Sequence, residues 1–288
     1  MHHPYRGVHI ALSTMHGKEQ ILGPLFQEIF NAKVLVPQDM NTDIFGTFSG
    51  EVPRKKDIKD VLRKKADLGM RISGHKYGIA SEGSFGPHPW IPFASCNQEF
   101  LIFKDLERDI EVFSTVISLN SRADSIQIQK LSEAQDFFRK IGFGSQGVIV
   151  RPPENLKNCE KYIFKGLREF RDVESAFLQI KRDLNVQKIV IETDNRCHMS
   201  PRRQKVIFNS GQLLVETLCS LCPECGVPGF EMFDYLRGLP CSECGTRSDK
   251  PQKELWRCPS KNCTYQEERG RLDGLQSLDP SECDECNP

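Results

Sequence analysis

Cys222-Pro-Glu-Cys225-Gly226 and Cys241-Ser-Glu-Cys244-Gly245, separated by 15 residues, carry the clearest chemistry in the chain. Two sulfurs three positions apart can turn toward one ion, and the glycine that follows allows the tight knuckle that aims them. Four such thiolates suit zinc. Sequential pairing predicts one Zn2+ on Cys222, Cys225, Cys241 and Cys244 and a second on Cys258, Cys263, Cys283 and Cys286. A crossed arrangement, with the first and third pairs sharing an ion, is the alternative. Nine of the twelve cysteines fall in the last 70 residues, and Cys219 is left over from the four pairs. Disulfides are the competing account. The N-terminus shows no apolar signal-peptide core, so the expected compartment is the reducing cytoplasm, where close cysteine pairs hold metal. A zinc saturated by four thiolates keeps no open position for water, so its expected role is a structural staple or a docking surface.

Three polar clusters upstream have residue types suited to phosphate. Ser13-Thr14-Met15-His16-Gly17-Lys18-Glu19 lies between an apolar strand and a helix, where free backbone N–H groups, the helix dipole and a lysine favour an anion. Ser13, Thr14, His16 and Lys18 are the candidate contacts. The stretch lacks the two spaced glycines of a P-loop, and an ordinary polar turn is the other reading.

The second cluster, Thr42 to Glu51 and on to Arg54, is followed by the related Ala80-Ser81-Glu82-Gly83-Ser84-Phe85-Gly86-Pro87. Glu51 and Glu82 beside glycines match a catalytic Mg2+ held by few carboxylates plus phosphate oxygens, with Arg54 as a further phosphate contact. Two surface turns are the alternative, although Phe45, Phe48, Phe85 and Trp90 are unusual company for solvated turns. In the third cluster, Glu192-Thr193-Asp194-Asn195-Arg196-Cys197-His198 through Arg203, Glu192 and Asp194 share one side of an extended strand, as carboxylates sharing a metal or proton must. His198 can exchange protons near neutrality, and Arg202 and Arg203 at a helix N-terminus form a second anion site. A solvated turn with a helix-start charge pair competes equally.

The elements that must position these residues follow from periodicity. Strands are predicted at 8–13, 33–36, 77–81, 99–104, 110–114, 147–151 and 187–193, and helices at 18–30, 55–68, 132–141, 168–184 and 201–218. Ser132 opens a capping box, and Ser200-Pro201 sets a capping hydroxyl before a proline at the first helical position. The alternation implies an α/β fold with a mixed sheet flanked by helices, followed by a small zinc-ribbon-like C-terminal domain. The expected segments are 1–120, with the phosphate turn, 121–218, a second α/β portion, and 219–288, the cysteine-rich domain.

Composition narrows the partners. The 288 residues carry 39 basic and 39 acidic side chains, so no global field draws the chain to nucleic acid or anionic lipid. Nowhere do 18 apolar residues follow one another, which speaks against a membrane span. Residues 51–76 hold nine Lys/Arg against four Asp/Glu, but Ile58, Val61, Leu62 and Ala66 trace an apolar stripe that makes these charges the solvated face of a helix.

"STMHGKE", "TDIFGTFSGEVPR", "ASEGSFGPHP", "ETDNRCHMSPRR" and the terminal "CDECNP" resemble a family of bacterial proteins of unassigned function along nearly the whole chain. Residues 8 to about 115 also resemble the pyrophosphatases that destroy inosine and xanthosine triphosphates, in the order Ser13 to Lys18, "TDIFGTFSGE", a helix through Lys65-Ala66, then "ASEGSFG". That likeness implies a magnesium-dependent nucleotide phosphohydrolase in which Ser13 and Lys18 touch the triphosphate and Glu51 and Glu82 hold magnesium. Met15 stands where those enzymes have Asn, and Ser-Glu-Gly replaces their double Asp. The second reading is a non-catalytic module whose zinc tail contacts nucleic acid or a protein.

Overall fold

A computed structural model describes residues 3–38, 40, 57–91, 93–120, 123–153 and 159–288. Among these, five helices and twelve strands in three sheets form the expected mixed α/β architecture followed by a cysteine-rich region. The first sheet contains β1 (His9–Ser13), β2 (Lys33–Leu35), β3 (Tyr77–Pro87), β4 (Ser95–Asp105) and β5 (Ile110–Ser118), in the order β2-β1-β3-β4-β5. β1 pairs in parallel with both β2 and β3, with Ser13 opposite Ala80, so β3 runs on beyond the end of β1 from Ser81. The second sheet, β6 (Ser125–Ile128), β7 (Val148–Arg151), β8 (Phe164–Leu167) and β9 (Ile189–Thr193), is antiparallel in the order β6-β9-β7-β8. The third joins β10 (Glu231–Arg237), β11 (Pro251–Arg257) and β12 (Gln266–Gly270) in antiparallel order.

The described residues divide into two compact units, one of Tyr5–Phe103 with Phe113–Leu213, the other built on Lys104–Val112 and Leu214–Pro288. Each sheet lies within one of the three segments delimited from the sequence.

Within the larger unit, α1 (Glu19–Phe30) buries Leu22, Leu25, Phe26 and Phe30, and α2 (Ile58–Ser73) buries Val61, Leu62, Ala66 and Met70. Asp57 caps α2 by accepting from the N–H groups of Lys59 and Asp60, so this helix starts at 58 instead of 55. Tyr5, Phe26, Phe30, Tyr77 and Phe103 supply an aromatic core, with the Tyr5 and Phe103 rings 4.7 Å apart. A second core gathers Phe137, Phe138 and Ile141 of α3 (Gln135–Ile141) with Val173, Phe177 and Ile180 of α4 (Phe170–Leu184) and Val148, Val150, Ile189 and Ile191. Burying side chains of this size contributes about 1.5–3 kcal/mol each, which is what holds such short strands in place.

Four expectations change. Strands β6 and β8, and β10 to β12 of the cysteine-rich region, lie outside the seven predicted strands. The box predicted on Ser132 is made by Glu133, whose carboxylate accepts from the backbone N–H groups of Gln129 and Lys130. Lys65, assigned from its basic neighbours to a solvated face, is buried on the same stripe as Leu62 and Ala66. The Ala80–Pro87 stretch is strand, not a turn. Its Gly83 serves close approach: a Cβ there would stand 2.3 Å from the Arg203 guanidinium and 2.4 Å from the Glu99 carboxylate.

Helix α5 (Pro201–Cys219) starts as the sequence indicates, with the Ser200 hydroxyl accepting from the Arg203 N–H at 3.4 Å.

Ser13 sits beneath α2, its hydroxyl donating to the Lys65 carbonyl at 2.6 Å, where a Cβ on Gly69 would come within 2.3 Å of that hydroxyl. Gly69→Ala raises helix propensity by roughly 1 kcal/mol, yet overpacking costs about 1–3 kcal/mol. The expected outcome in urea unfolding is a net loss of stability; a gain would show that β1 and α2 are not so tightly apposed.

Candidate functional site

Two sites emerge, each within one unit. In the smaller unit all eight predicted cysteines assemble into two groups, Cys222, Cys225, Cys258 and Cys263, and Cys241, Cys244, Cys283 and Cys286, with the sulfurs of each group within 4.8 Å of one another. Sequential pairing is therefore corrected to the crossed arrangement. The reason is the hairpin. The spacer after Cys225 contains β10, a seven-residue strand that carries the second knuckle roughly 20 Å away at a rise of about 3.3 Å per residue. Antiparallel β11 then returns the chain so that Cys258 and Cys263 arrive beside Cys222 and Cys225. At the far end the Leu278 backbone bonds with Pro240 and Ser242, bringing Cys283 and Cys286 to the second knuckle.

The donor set fits a tetrahedral metal. A zinc bound by four sulfurs at about 2.3 Å implies S···S edges near 3.8 Å. Sulfur pairs within the groups stand at 3.9 Å (Cys222–Cys263), 3.6 Å (Cys225–Cys258), 3.8 Å (Cys241–Cys286) and 3.6 Å (Cys244–Cys283). A disulfide would need about 2.05 Å. Gly226 and Gly245 take the left-handed conformation the knuckles require, at φ +71° and +73°. Each site has its own apolar backing, Phe230 with Trp256 and Tyr265 for the first, Leu239 with Leu278 for the second.

The larger unit brings the first and third polar clusters together where β3 outruns β1. Lys18, just before α1, is buried, and its ammonium donates to the Ser81 hydroxyl at 2.6 Å and, at the 3.5 Å limit, to the Ser81 carbonyl. Arg203, in the first turn of α5, is 2% exposed; it donates to the Glu99 carboxylate at 2.6 and 3.3 Å and to the Asn195 carbonyl at 2.6 Å. Glu99 lies on β4 and also accepts from the Asn97 side-chain amide at 3.0 Å. Residues 81 and 83 of a strand point to one face and 82 to the other. Glu82 accordingly turns to α2 and pairs with Lys65. Among the described residues, two cations and one carboxylate stand on the α5 face, beside a neutral pair on the other, which is an excess of one positive charge. This balance suits an anion.

Burial pushes the Lys18 ammonium down to about 8, reinforced by Arg203 and opposed by Glu99 and Glu82. Burial also raises the Cys197 thiol next to this group and lowers His198, the latter helped by Arg196. The His16 and His198 rings lie 5.5 Å apart. Among the described residues the side-chain oxygen of fully buried Asn97 has no hydrogen-bond partner, which costs about 1–3 kcal/mol in a closed interior.

Other sequence candidates stand elsewhere. Glu192 pairs with Arg151 at 2.9 Å, whereas Asp194 lies past the end of β9 and is held by Arg196 at 2.6 Å and the Gly166 N–H at 2.9 Å. The two carboxylates therefore have different cationic partners. Ser13 is turned to α2, Thr14 is buried and accepts from the His16 N–H, and exposed Arg202 donates to the Lys140 carbonyl. Glu51 and Arg54 lie outside the described residues. Among the described residues only the two cysteine groups bring three or more possible ligands together, and of the carboxylates expected to hold magnesium, Glu51 lies outside the described residues while Glu82 pairs with Lys65. Lys65, Asn97 and Glu99 were missed, although signals exist: Lys65 falls on the stripe of Leu62, Ala66 and Gly69, and Asn97 and Glu99 occupy one face of β4 with Leu101 and Phe103.

Residues 65–288 match the model of the family described as a domain of unknown function, DUF6671, and the chain belongs to that family. Comparison with curated proteins gives no match. Among the described residues no helix is long and apolar enough to cross a membrane.

Two outcomes follow. Because the four cysteine pairs interleave, Cys225→Ser is expected to lower bound metal by more than one equivalent, read by metal analysis against Cys219→Ser, which should lose none. Lys18 titrates lower in the fold than its ordinary 10.5, so the unfolded chain holds more protons between about pH 8 and 10.5 and stability rises with pH across that window. Lys18→Met is expected to stabilise the protein by about 1–3 kcal/mol at pH 7. Urea unfolding at pH 7 and 9.5 should show that advantage shrinking at the higher pH.

Proposed function

We propose that the larger unit binds a nucleoside polyphosphate and hydrolyses it, and that both tetracysteine groups hold structural Zn2+. One observation supports the first part above all: Lys18 and Arg203, from the starts of two helices, flank Glu99 in a buried group with surplus positive charge. Buried cations with helix N-termini are a ready anion site. The N-terminal motifs that resemble inosine and xanthosine triphosphate pyrophosphatases point the same way. Magnesium belongs to the substrate in this reading, arriving as the magnesium complex of the triphosphate.

The chemistry follows from position. Phosphate oxygens take over the guanidinium of Arg203, freeing Glu99 to accept a proton from water. The water oxygen bonds to phosphorus, the bond to the leaving phosphate breaks, and Lys18 neutralises the charge that develops. His16 and His198 border the first turns of the same helices, their rings 5.5 Å apart, and His198 is the one suited to exchange protons. The zinc tail supports the fold and offers the surface for a protein or nucleic-acid partner.

A panel of nucleoside triphosphates with magnesium, followed by release of pyrophosphate and phosphate, tests this. Lys18→Met, with circular dichroism unchanged, should lower turnover by about 100-fold or more, and Glu99→Gln, which leaves Arg203 unpaired and is compared at a temperature where it stays folded, should do the same. Tight nucleotide binding without turnover would leave a sensor in place of an enzyme. Salt-sensitive retention on RNA or DNA with no nucleotide binding would favour the tail as the functional part.

A further inference from the structure

Asn97 holds the least expected feature of the site. Its side-chain N–H2 donates to the Glu99 carboxylate at 3.0 Å and to the Ser84 carbonyl at 3.3 Å. Both neighbours are pure acceptors, so the amide orientation is fixed, with the nitrogen and not the oxygen making these two contacts. That oxygen is buried and, among the described residues, has no partner. Beside it stands the Glu99 carboxylate, a second acceptor inside a group otherwise suited to an anion. Acceptors repel a fully ionised oxyanion and attract one that still carries a hydroxyl.

We infer that this site selects a tetrahedral oxyanion bearing a proton, with Asn97 and Glu99 accepting from its hydroxyl while Lys18 and Arg203 contact its charged oxygens. The inference rests on the polyphosphate reading of the site and deepens it: the group seated here is the inorganic phosphate released by hydrolysis, because bridging phosphates carry no hydroxyl and the terminal phosphoryl group of a magnesium triphosphate is ionised near neutral pH. Sulfate is the informative competitor. It has nearly the size and charge of hydrogen phosphate, so the Coulombic attraction is the same and only the missing hydroxyl differs. A site built to hydrogen-bond a hydroxyl rejects the analogue that lacks it by a large factor.

The test uses the full-length, zinc-loaded protein and calorimetric titration at pH 7.5 with phosphate and arsenate, which keep a proton, and sulfate and selenate, which do not. Phosphate and arsenate are expected to bind about 100-fold more tightly than sulfate and selenate. In Asn97→Ala, checked for folding by circular dichroism, the phosphate-to-sulfate ratio should fall toward one, chiefly by improved sulfate binding. Equal affinity for phosphate and sulfate in the wild type would overturn the inference even if nucleoside triphosphates bind. An unchanged ratio in a folded Asn97→Ala protein would overturn it as well. If neither oxyanions nor triphosphates bind, the polyphosphate reading itself fails, and the selection proposed here fails with it.

Discussion

The buried pair of Arg203 and Glu99 is the interaction around which the larger unit is arranged. Both side chains are at most 2% exposed, and removing two charges from water costs several kcal/mol per ion unless good geometry and further hydrogen bonds offset it. The compensation can be named. Arg203 has two contacts to Glu99 and one to the Asn195 carbonyl; Glu99 has Asn97 as well. Gly83 leaves the room that any side chain would take. Strands β3 and β4 and helix α5 thus depend on one another through polar atoms as much as through apolar packing. Breaking such a pair strands a charge, which makes this group a poor place for neutral variation and a sensible place for a ligand.

Lys18 shows the other side of the same economy. An ammonium with serine as its hydrogen-bond partner, pushed well below its ordinary range by burial, destabilises the ligand-free fold at neutral pH. A phosphate would bring back the missing negative charge. Stability spent at one buried cation is what a site tuned for an anion is expected to show.

The smaller unit solves a different problem. Its outer strands β10 and β12 expose most of their side chains, and its apolar clusters are small, so a metal held by each tetracysteine group would supply much of its folding energy. Interleaving the ligands lets one hairpin hold two sites at opposite ends, so each metal closes a loop that contains half of the other site.

Much of this was legible in the chain. Cysteine spacing identified all eight candidate ligands because a knuckle is local, fixed by two residues and a glycine. Apolar periodicity located the five helices and most strands for the same reason, and Ser200-Pro201 marked the start of α5. What the sequence could not decide was which distant pieces meet. Whether Cys222 joins Cys241 or Cys258 depends on the antiparallel return of β11, a pairing invisible to spacing alone. Whether Glu82 or Glu99 faces Lys18 depends on the side of the sheet each strand presents, and a one-residue change in register reverses that side. Composition and local pattern settled the residue types available for metal and phosphate chemistry; long-range strand pairing and helix placement chose among them, because contact between residues a hundred positions apart is a property of packing and not of spacing.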